Sequence, residues 1–214
     1  YIHLLRLWVV CSHLFMSQPR GLSHMHSLLI STGVVALAEM GDKTQLLAFI
    51  LAARFKKPIP IILGILVATI INHGLAGALG AWITSIVNPE MLRWVLGASF
   101  IGMAVWTLIP DKIEEEHTHV ANHLGVFGAT FITFFLAEMG DKTQLATIAL
   151  AAHYTAPLTV VVGTTLGMLI ADIPAVFVGN KFSKKISMKL VHSIAAGIFA
   201  VMGVLTLFGI DKLL

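Results

Sequence analysis

The sequence has little charge and almost no cysteine. Only 12% of its 214 residues are charged and 57% are hydrophobic, whereas soluble domains carry about 25% charged residues. So few polar side chains do not cover a water-soluble globule, which indicates a lipid bilayer as the solvent. The single Cys11 excludes an intramolecular disulfide framework and a cysteine-based zinc site. The net charge of +3 comes from basic clusters between apolar stretches, so it indicates membrane topology and not nucleic-acid binding.

Six apolar segments are long enough to cross a bilayer, because about 30 Å of hydrocarbon takes roughly 20 helical residues. The alternating pattern of a transmembrane strand is absent from the sequence. The segments are Ser27–Ala53, Ile59–Val87, Met91–Ile109, Leu124–Ala152, Leu158–Gly179 and Lys189–Ile210. The predicted fold class is therefore an all-α integral membrane protein with six transmembrane helices.

The chain contains an internal duplication. The sequence LAEMGDKTQL at 37–46 recurs without change at 136–145, an offset of 99 residues. At an offset of 100, Gly97 matches Gly197. Each half is therefore one three-helix unit, and an odd number of crossings per unit makes the two repeats inverted (3+3), as in many secondary transporters.

The predicted organisation follows from this repeat. Residues 1–24 form an N-terminal extension, interpreted as a leader, an interfacial helix or residues added for expression. Residues 25–110 are repeat 1, 111–123 a loop rich in acids and histidines, and 124–214 repeat 2. Basic residues at 54–57 and 181–185 lie on the same side as this loop. The positive-inside rule makes that side cytoplasmic and puts both termini outside, in a bacterial inner membrane.

Both copies of the motif place acids near the middle of a segment. Glu39 and Glu138 lie near the centres of the first and fourth segments, where an Asp or Lys costs about 2.5–3.5 kcal/mol. Such residues mark ion or proton paths. Asp42 and Asp141 follow at i+3, so the two carboxylates of each copy share one helix face. We therefore expect these four acids to meet as a metal site at mid-depth.

Further oxygen donors lie beside these acids. Carboxylate, amide and carbonyl oxygens suit Mg²⁺, Ca²⁺ or Mn²⁺. Gly41 allows close helix approach or local unwinding that frees a carbonyl ligand. The remaining candidate ligands are Gln45, Gln144, Thr44, Thr143, Met40 and Met139. For the two methionines, packing is the favoured role, since on an ideal helix they point away from the glutamates.

The lysines of the motif allow two interpretations. Lys43 and Lys142 are predicted to support the site by holding an acid in place. In the alternative, Glu39–Lys43 and Glu138–Lys142 are i,i+4 ion pairs that only neutralise each other. That alternative leaves the two aspartates unexplained.

Two polar residues occupy matched positions in the second segment of each half. Asp172 aligns with His73, and both are candidates for proton coupling, since His titrates near neutral pH. For His73, a packing hydrogen bond is an equal alternative. Gly163 and Gly167 form a small-xxx-small pair that predicts close helix packing.

The repeated E-x-G-D-K-T resembles the two-motif Mn²⁺/Ca²⁺:H⁺ exchanger family, which includes bacterial manganese exporters and Golgi members of eukaryotes. The likeness covers about Ser27 to Lys212, and both copies lie in the segments that the family requires. The resemblance implies a cation/proton exchanger that removes metal from the cytoplasm. It also implies a principal site made of Glu39, Asp42, Glu138 and Asp141.

The expected function is secondary transport of a divalent cation, with Mn²⁺ leaving the cytoplasm in exchange for protons. The alternatives are Ca²⁺/H⁺ exchange and export of a small organic solute. An enzyme is not expected, because the sequence has no H-E-x-x-H or G-x-S-x-G motif. The expected partners are lipid, protons and the transported Mn²⁺ or Ca²⁺, with no cofactor and no nucleic acid. Since metal binding needs deprotonated ligands, affinity should fall as pH falls.

Overall fold

The computed structural model describes residues 20–109, 124–154, 156–178 and 188–210, and the regular structure of these residues is entirely helical. The eight helices there are α1 (Arg20–Glu39), α2 (Lys43–Phe55), α3 (Pro58–Ile86), α4 (Pro89–Thr107), α5 (Gly125–Glu138), α6 (Lys142–Tyr154), α7 (Pro157–Val178) and α8 (Met188–Phe208). The predicted all-α fold class is confirmed. Residues 1–19 and the loop at 111–123 lie outside the described residues, so the predictions about them are not tested.

The first and fourth predicted helices are each divided in two at the repeated motif. The breaks separate α1 from α2 and α5 from α6. At the breaks, Gly41 has φ 83° and Gly140 has φ 79°, a left-handed conformation that costs residues with a side chain about 1–2 kcal/mol. The prediction of continuous helices, with Glu39 and Asp42 on one face, is therefore wrong. The local unwinding predicted at Gly41 is confirmed.

The two broken helices lie side by side. α1 packs on α6 and α2 packs on α5, so the pair runs antiparallel with its breaks next to each other. α3 and α7 contact each other, and each packs along one of the broken helices: α3 along α5 and α6, and α7 along α1 and α2. This arrangement brings both copies of the motif to the middle of the fold.

Glycine allows the close approach of α7 to α1. A Cβ added at Gly163 would lie 2.8 Å from the carbonyl oxygen of Leu28, and one at Gly167 would lie 2.6 Å from that of Thr32. Neither distance leaves room for a side chain. The predicted helix packing at this pair of glycines is confirmed.

α4 and α8 pack against each other outside this group, and their buried faces correspond at an offset of 99. The buried positions are Leu96, Gly97, Phe100, Met103, Ala104 and Thr107 in α4, and Ala195, Ala196, Phe199, Met202, Gly203 and Thr206 in α8. The match of Gly97 with Gly197 at an offset of 100 is therefore wrong in these helices, since Gly97 is buried and Gly197 is exposed. In this register Arg93 corresponds to His192.

Within the described residues, two helices are long and apolar enough, by length and composition, to cross a membrane: Pro58–Ile86 and the Pro157–Phe177 part of α7. Gly125–Glu138 and His192–Phe208 are apolar but shorter. Large apolar side chains such as Ile59 and Leu158 are exposed on the outer surface, as expected of a surface that contacts lipid. The number of crossings stays a prediction.

Candidate cation site

Three carboxylates from the two motif copies converge between the broken helices. Glu39, Glu138 and Asp141 each offer an oxygen atom, and these atoms lie within 4.8 Å of one another. All three side chains are buried. Glu39 ends α1 and Glu138 ends α5, while α2 and α6 begin at Lys43 and Lys142, so helix ends of both signs meet here and the excess negative charge comes from the carboxylates. The geometry favours a positively charged ligand.

A threonine five residues along the chain orients each glutamate. Thr44 donates its hydroxyl to Glu39 Oε2 at 2.6 Å, and Thr143 donates to Glu138 Oε2 at 2.9 Å. The other oxygen of each glutamate, Oε1, is buried and has no hydrogen-bond partner among the described residues. The threonines, predicted as candidate ligands, thus use their hydroxyl protons to position the glutamates.

The lysines pair across the two copies of the motif. Lys43 Nζ lies 3.0 Å from Asp141 Oδ1, and Lys142 Nζ lies 3.0 Å from Asp42 Oδ2. The alternative of neutralising pairs within one copy is therefore wrong, and the prediction that each lysine holds an acid agrees with the geometry. Asp42, paired with Lys142, does not belong to the group of three convergent carboxylates.

The glutamines of the motif stabilise the helix breaks. Gln45 Oε1 accepts from the backbone N–H of Gly41 at 2.9 Å, and Gln144 Oε1 accepts from that of Gly140 at 2.7 Å. Gln45 also donates from Nε2 to the carbonyl of Ala171 at 2.8 Å. Because both side-chain carbonyls accept these bonds, their first role here is to replace helix bonds lost at the breaks.

The methionines differ in their surroundings. Met139 is 54% exposed, whereas Met40 is half-buried. The carbonyl oxygen of Met40 lies 2.7 Å from His192 Nε2, within hydrogen-bond distance. His192 was not predicted as a functional residue; its signal in the sequence is a polar residue inside an apolar helix.

Asp172 lies next to the convergent carboxylates. Its side chain is fully buried, and neither oxygen has a hydrogen-bond partner among the described residues. It is within electrostatic range of Glu39 and Glu138. The matched His73 is also buried without a partner for its ring nitrogens in the described part of the chain, and the neighbouring Asn72 donates to the carbonyl of Phe135 at 3.1 Å. The two repeats therefore differ beside identical motifs.

The charges of this region do not balance. The two lysines neutralise the two aspartates of the motif. Glu39, Glu138 and Asp172 have no ion pair among the described residues, so three buried carboxyls remain. Burial of an unpaired carboxylate costs several kcal/mol or more. These groups therefore need protons, a cation or both, which is the chemistry of a cation/proton exchange site.

Comparisons with known proteins agree with this site. Residues 27–115 and 126–212 match the family described as "Divalent cation/proton antiporter GDT1". The chain is 48% identical over 192 residues to a Vibrio cholerae protein named "Putative manganese exporter", covering 89% of this chain and 95% of that protein. It is 29% identical over 199 residues to "GDT1-like protein 3" of Oryza sativa subsp. indica, covering 81% and 70%. No solved structure matches the chain.

A buried acidic cluster between two broken helices, inside an all-helical fold with an apolar surface, defines a membrane cation transporter. The chain belongs to the divalent cation/proton antiporter GDT1 family. The resemblance to two-motif cation/proton exchangers seen in the sequence is thereby confirmed. The family is one of transporters and not of enzymes.

Proposed function

We propose that the protein exports Mn²⁺ from the cytoplasm across a bacterial inner membrane in exchange for protons. The observation that carries the proposal is the convergence of Glu39, Glu138 and Asp141 within 4.8 Å. Carboxylate oxygens suit Mn²⁺, Mg²⁺ and Ca²⁺ better than softer metals. The name of the Vibrio cholerae relative supports manganese as the substrate.

The proposed ligands are three buried oxygens that have no hydrogen-bond partner among the described residues: Glu39 Oε1, Glu138 Oε1 and Asp141 Oδ2. Lys43 and Lys142 hold the two aspartates from the opposite copy of the motif. Backbone carbonyls at the helix breaks are candidates for the remaining positions of a six-coordinate ion. Asp42 is a ligand when it leaves Lys142.

Protons compensate the charge when the metal is absent. With three excess buried carboxyls, the empty site needs three protons to have no net charge. A divalent cation replaces two of them, and the third stays on Asp172, the one excess carboxyl outside the group of three. One metal ion then exchanges for two protons without moving net charge. His73 stays a candidate for the proton path.

The proposed topology has six crossings in two inverted repeats. The antiparallel placement of the broken helices supports it, because an inverted repeat turns the second copy of the motif over relative to the first. The positive-inside rule then orients the loop at 54–57 and the central loop to the cytoplasm, with both termini outside. Transport proceeds by alternating access around the breaks.

Flux into proteoliposomes tests this function. We expect Mn²⁺ uptake by wild type when a proton gradient is imposed, and none by Glu39→Gln or Glu138→Gln. Glu90→Gln is the matched control, because Glu90 is exposed at the start of α4, and it should transport like wild type. Equal flux in all four proteins would refute the site, and flux indifferent to collapse of the proton gradient would refute antiport.

The donor set also favours a second substrate, because Ca²⁺ accepts the same carboxylate oxygens. Competition by Ca²⁺ in the Mn²⁺ flux assay separates the two, and Mn²⁺ is expected to be preferred. An exporter of organic solutes would be indifferent to both ions.

A further inference from the structure

α4 and α8 cover one half of the broken helices. α8 contacts α1 and α4 contacts α6, whereas the equivalent pairs, α4 with α5 and α8 with α2, make no comparable contact among the described residues. Because α1 packs on α6 and α2 on α5, these helices form two opposite halves of the site. Among the described helices, α4 and α8 cover the half made by α1 and α6, and they do not cover the half made by α2 and α5. The fold therefore departs from the twofold symmetry that its sequence repeat implies.

Equivalent residues of the two repeats differ in exposure, as the packing of α4 and α8 on α1 and α6 predicts. The side chain of Lys43 is 26% exposed and that of Lys142 only 3%. Ala53, further along α2, is exposed, whereas its counterpart Ala152 is buried in the core formed with Phe100 and other α4 and α8 side chains. The open face of α2 carries a charged lysine, so it adjoins water and not lipid. As far as the described residues extend, the site is therefore open toward the basic loop at 54–57.

A hydrogen bond links α8 to the backbone beside the proposed cation site. His192 Nε2 in α8 lies 2.7 Å from the carbonyl oxygen of Met40, the residue directly after Glu39. A movement of α8 away from α1 must break this contact. The bond therefore connects the closed half to the backbone of a proposed ligand.

The matched residue in α4 lies in a different environment. At the offset of 99 that relates the buried faces, His192 corresponds to Arg93, and Met40 corresponds to Met139. The guanidinium of Arg93 lies 5.6 Å from the centre of the Trp94 ring, and its buried Nε has no hydrogen-bond partner among the described residues. Met139 is 54% exposed. The second bond expected from the repeat is thus not made in this conformation.

We propose that His192 and Arg93 are positioning residues that hold the two access states in turn. His192 bonds the Met40 carbonyl and keeps the half made by α1 and α6 closed. When α4 and α8 move onto α2 and α5, Arg93 bonds the Met139 carbonyl and keeps that half closed. This inference rests on the alternating access of the proposed function, and it identifies the present conformation as the one open to the loop at 54–57.

Cysteine labelling of the full chain tests the pair. Ala53→Cys and Ala152→Cys, each in a Cys11→Ser background, are matched reporters of the two halves, labelled by a water-soluble maleimide in detergent. In the parent protein, Ala53→Cys should label fast and Ala152→Cys slowly. Loss of one hydrogen bond changes a two-state ratio by roughly two- to tenfold. His192→Leu should raise the ratio of Ala152→Cys to Ala53→Cys labelling by that factor.

Two further variants separate positioning from general stability. His192→Gln keeps a side-chain donor and should restore the parent ratio. Arg93→Leu should lower the ratio, because it removes the bond of the opposite state, and it remains informative if His192→Leu does not fold. An unchanged ratio in both leucine variants, or faster labelling of both reporters together, would overturn the proposal.

The labelling outcome is independent of metal transport. If the wild type transports no Mn²⁺ but the two leucine variants shift the labelling ratio in opposite directions, the role proposed for His192 and Arg93 is supported and the proposed function is refuted. If the wild type transports Mn²⁺ and neither leucine variant changes the labelling ratio, the role proposed for His192 and Arg93 is refuted and the proposed function is supported.

Discussion

Replacement of Glu138 by glutamine probes the site most directly. Glu138→Gln keeps the shape of the side chain and the oxygen that accepts from Thr143, but it removes one negative charge from the three convergent carboxylates. The helix break and both crossed ion pairs are left in place. A loss of Mn²⁺ binding in this variant therefore reports the charge.

The distances set the size of the effect. An ion at the centre of a triangle whose sides are at most 4.8 Å lies within about 2.8 Å of each oxygen, close to the 2.3–2.6 Å of a calcium–oxygen bond. At an effective dielectric constant of about 20, each carboxylate attracts a divalent ion at that distance by about 12 kcal/mol. Dehydration of the ion and of the carboxylate offsets the larger part of this attraction. If a quarter of this attraction remains, removal of one carboxylate charge weakens binding by about 3 kcal/mol and raises the Kd for Mn²⁺ by roughly 100-fold.

Isothermal titration of Mn²⁺ into the detergent-solubilised protein at neutral pH measures this change. Glu90→Gln is again the control and should bind like wild type. Glu39→Gln should match Glu138→Gln, because the two glutamates occupy equivalent places in the site. A Kd for Glu138→Gln within threefold of wild type would refute the assignment of this carboxylate as a ligand.

Three further predictions follow from the same geometry. Thr44→Val removes the hydroxyl that donates to Glu39 and should raise the Kd for Mn²⁺ about tenfold. The control Thr84→Val removes a hydroxyl that donates to the carbonyl of Ala81 and should leave the Kd unchanged; equal effects would contradict the role given to Thr44. Gly41→Ala forces alanine to φ 83° and should lower the free energy of unfolding by about 1–2 kcal/mol, while Gly33→Ala, with open space around it, should raise it by up to about 1 kcal/mol; denaturation in detergent measures both, and an equally stable Gly41→Ala would refute strain at the break. As the pH is lowered, Mn²⁺ affinity should fall about tenfold per pH unit for each proton that the metal displaces. Titrations between pH 6 and 8 that give a constant Kd would exclude proton exchange at the site.

The helical membrane class and the place of the site could both be predicted from local patterns. Long apolar segments with few charges predict helices in lipid, because the bilayer leaves the backbone no other partner. An identical acidic motif in both halves marks Glu39 and Glu138, because buried charge is costly wherever it is placed. The break at Gly41 was open to prediction as well, since glycine accepts a left-handed backbone at little cost.

Several features could not be predicted because they depend on how the halves pack. The crossed pairs Lys43–Asp141 and Lys142–Asp42 join residues far apart in the chain. The continuous-helix pattern placed Glu39 and Asp42 together, but the unwound turn separates them and leaves Asp141 as the third convergent acid. The match of Gly97 with Gly197 gives an offset of 100 for α4 and α8, whereas their buried faces correspond at an offset of 99. A single glycine match in a segment of low similarity defines the register less well than the burial pattern does.

The sequence by itself determined that this protein has two like halves, each with acids that lipid does not tolerate unpaired. Only the tertiary structure decided which aspartate joins the glutamates, and that α4 and α8 cover α1 and α6 but not α2 and α5. The physical reason is that two identical motifs allow two equivalent packings, and a folded chain occupies one of them at a time.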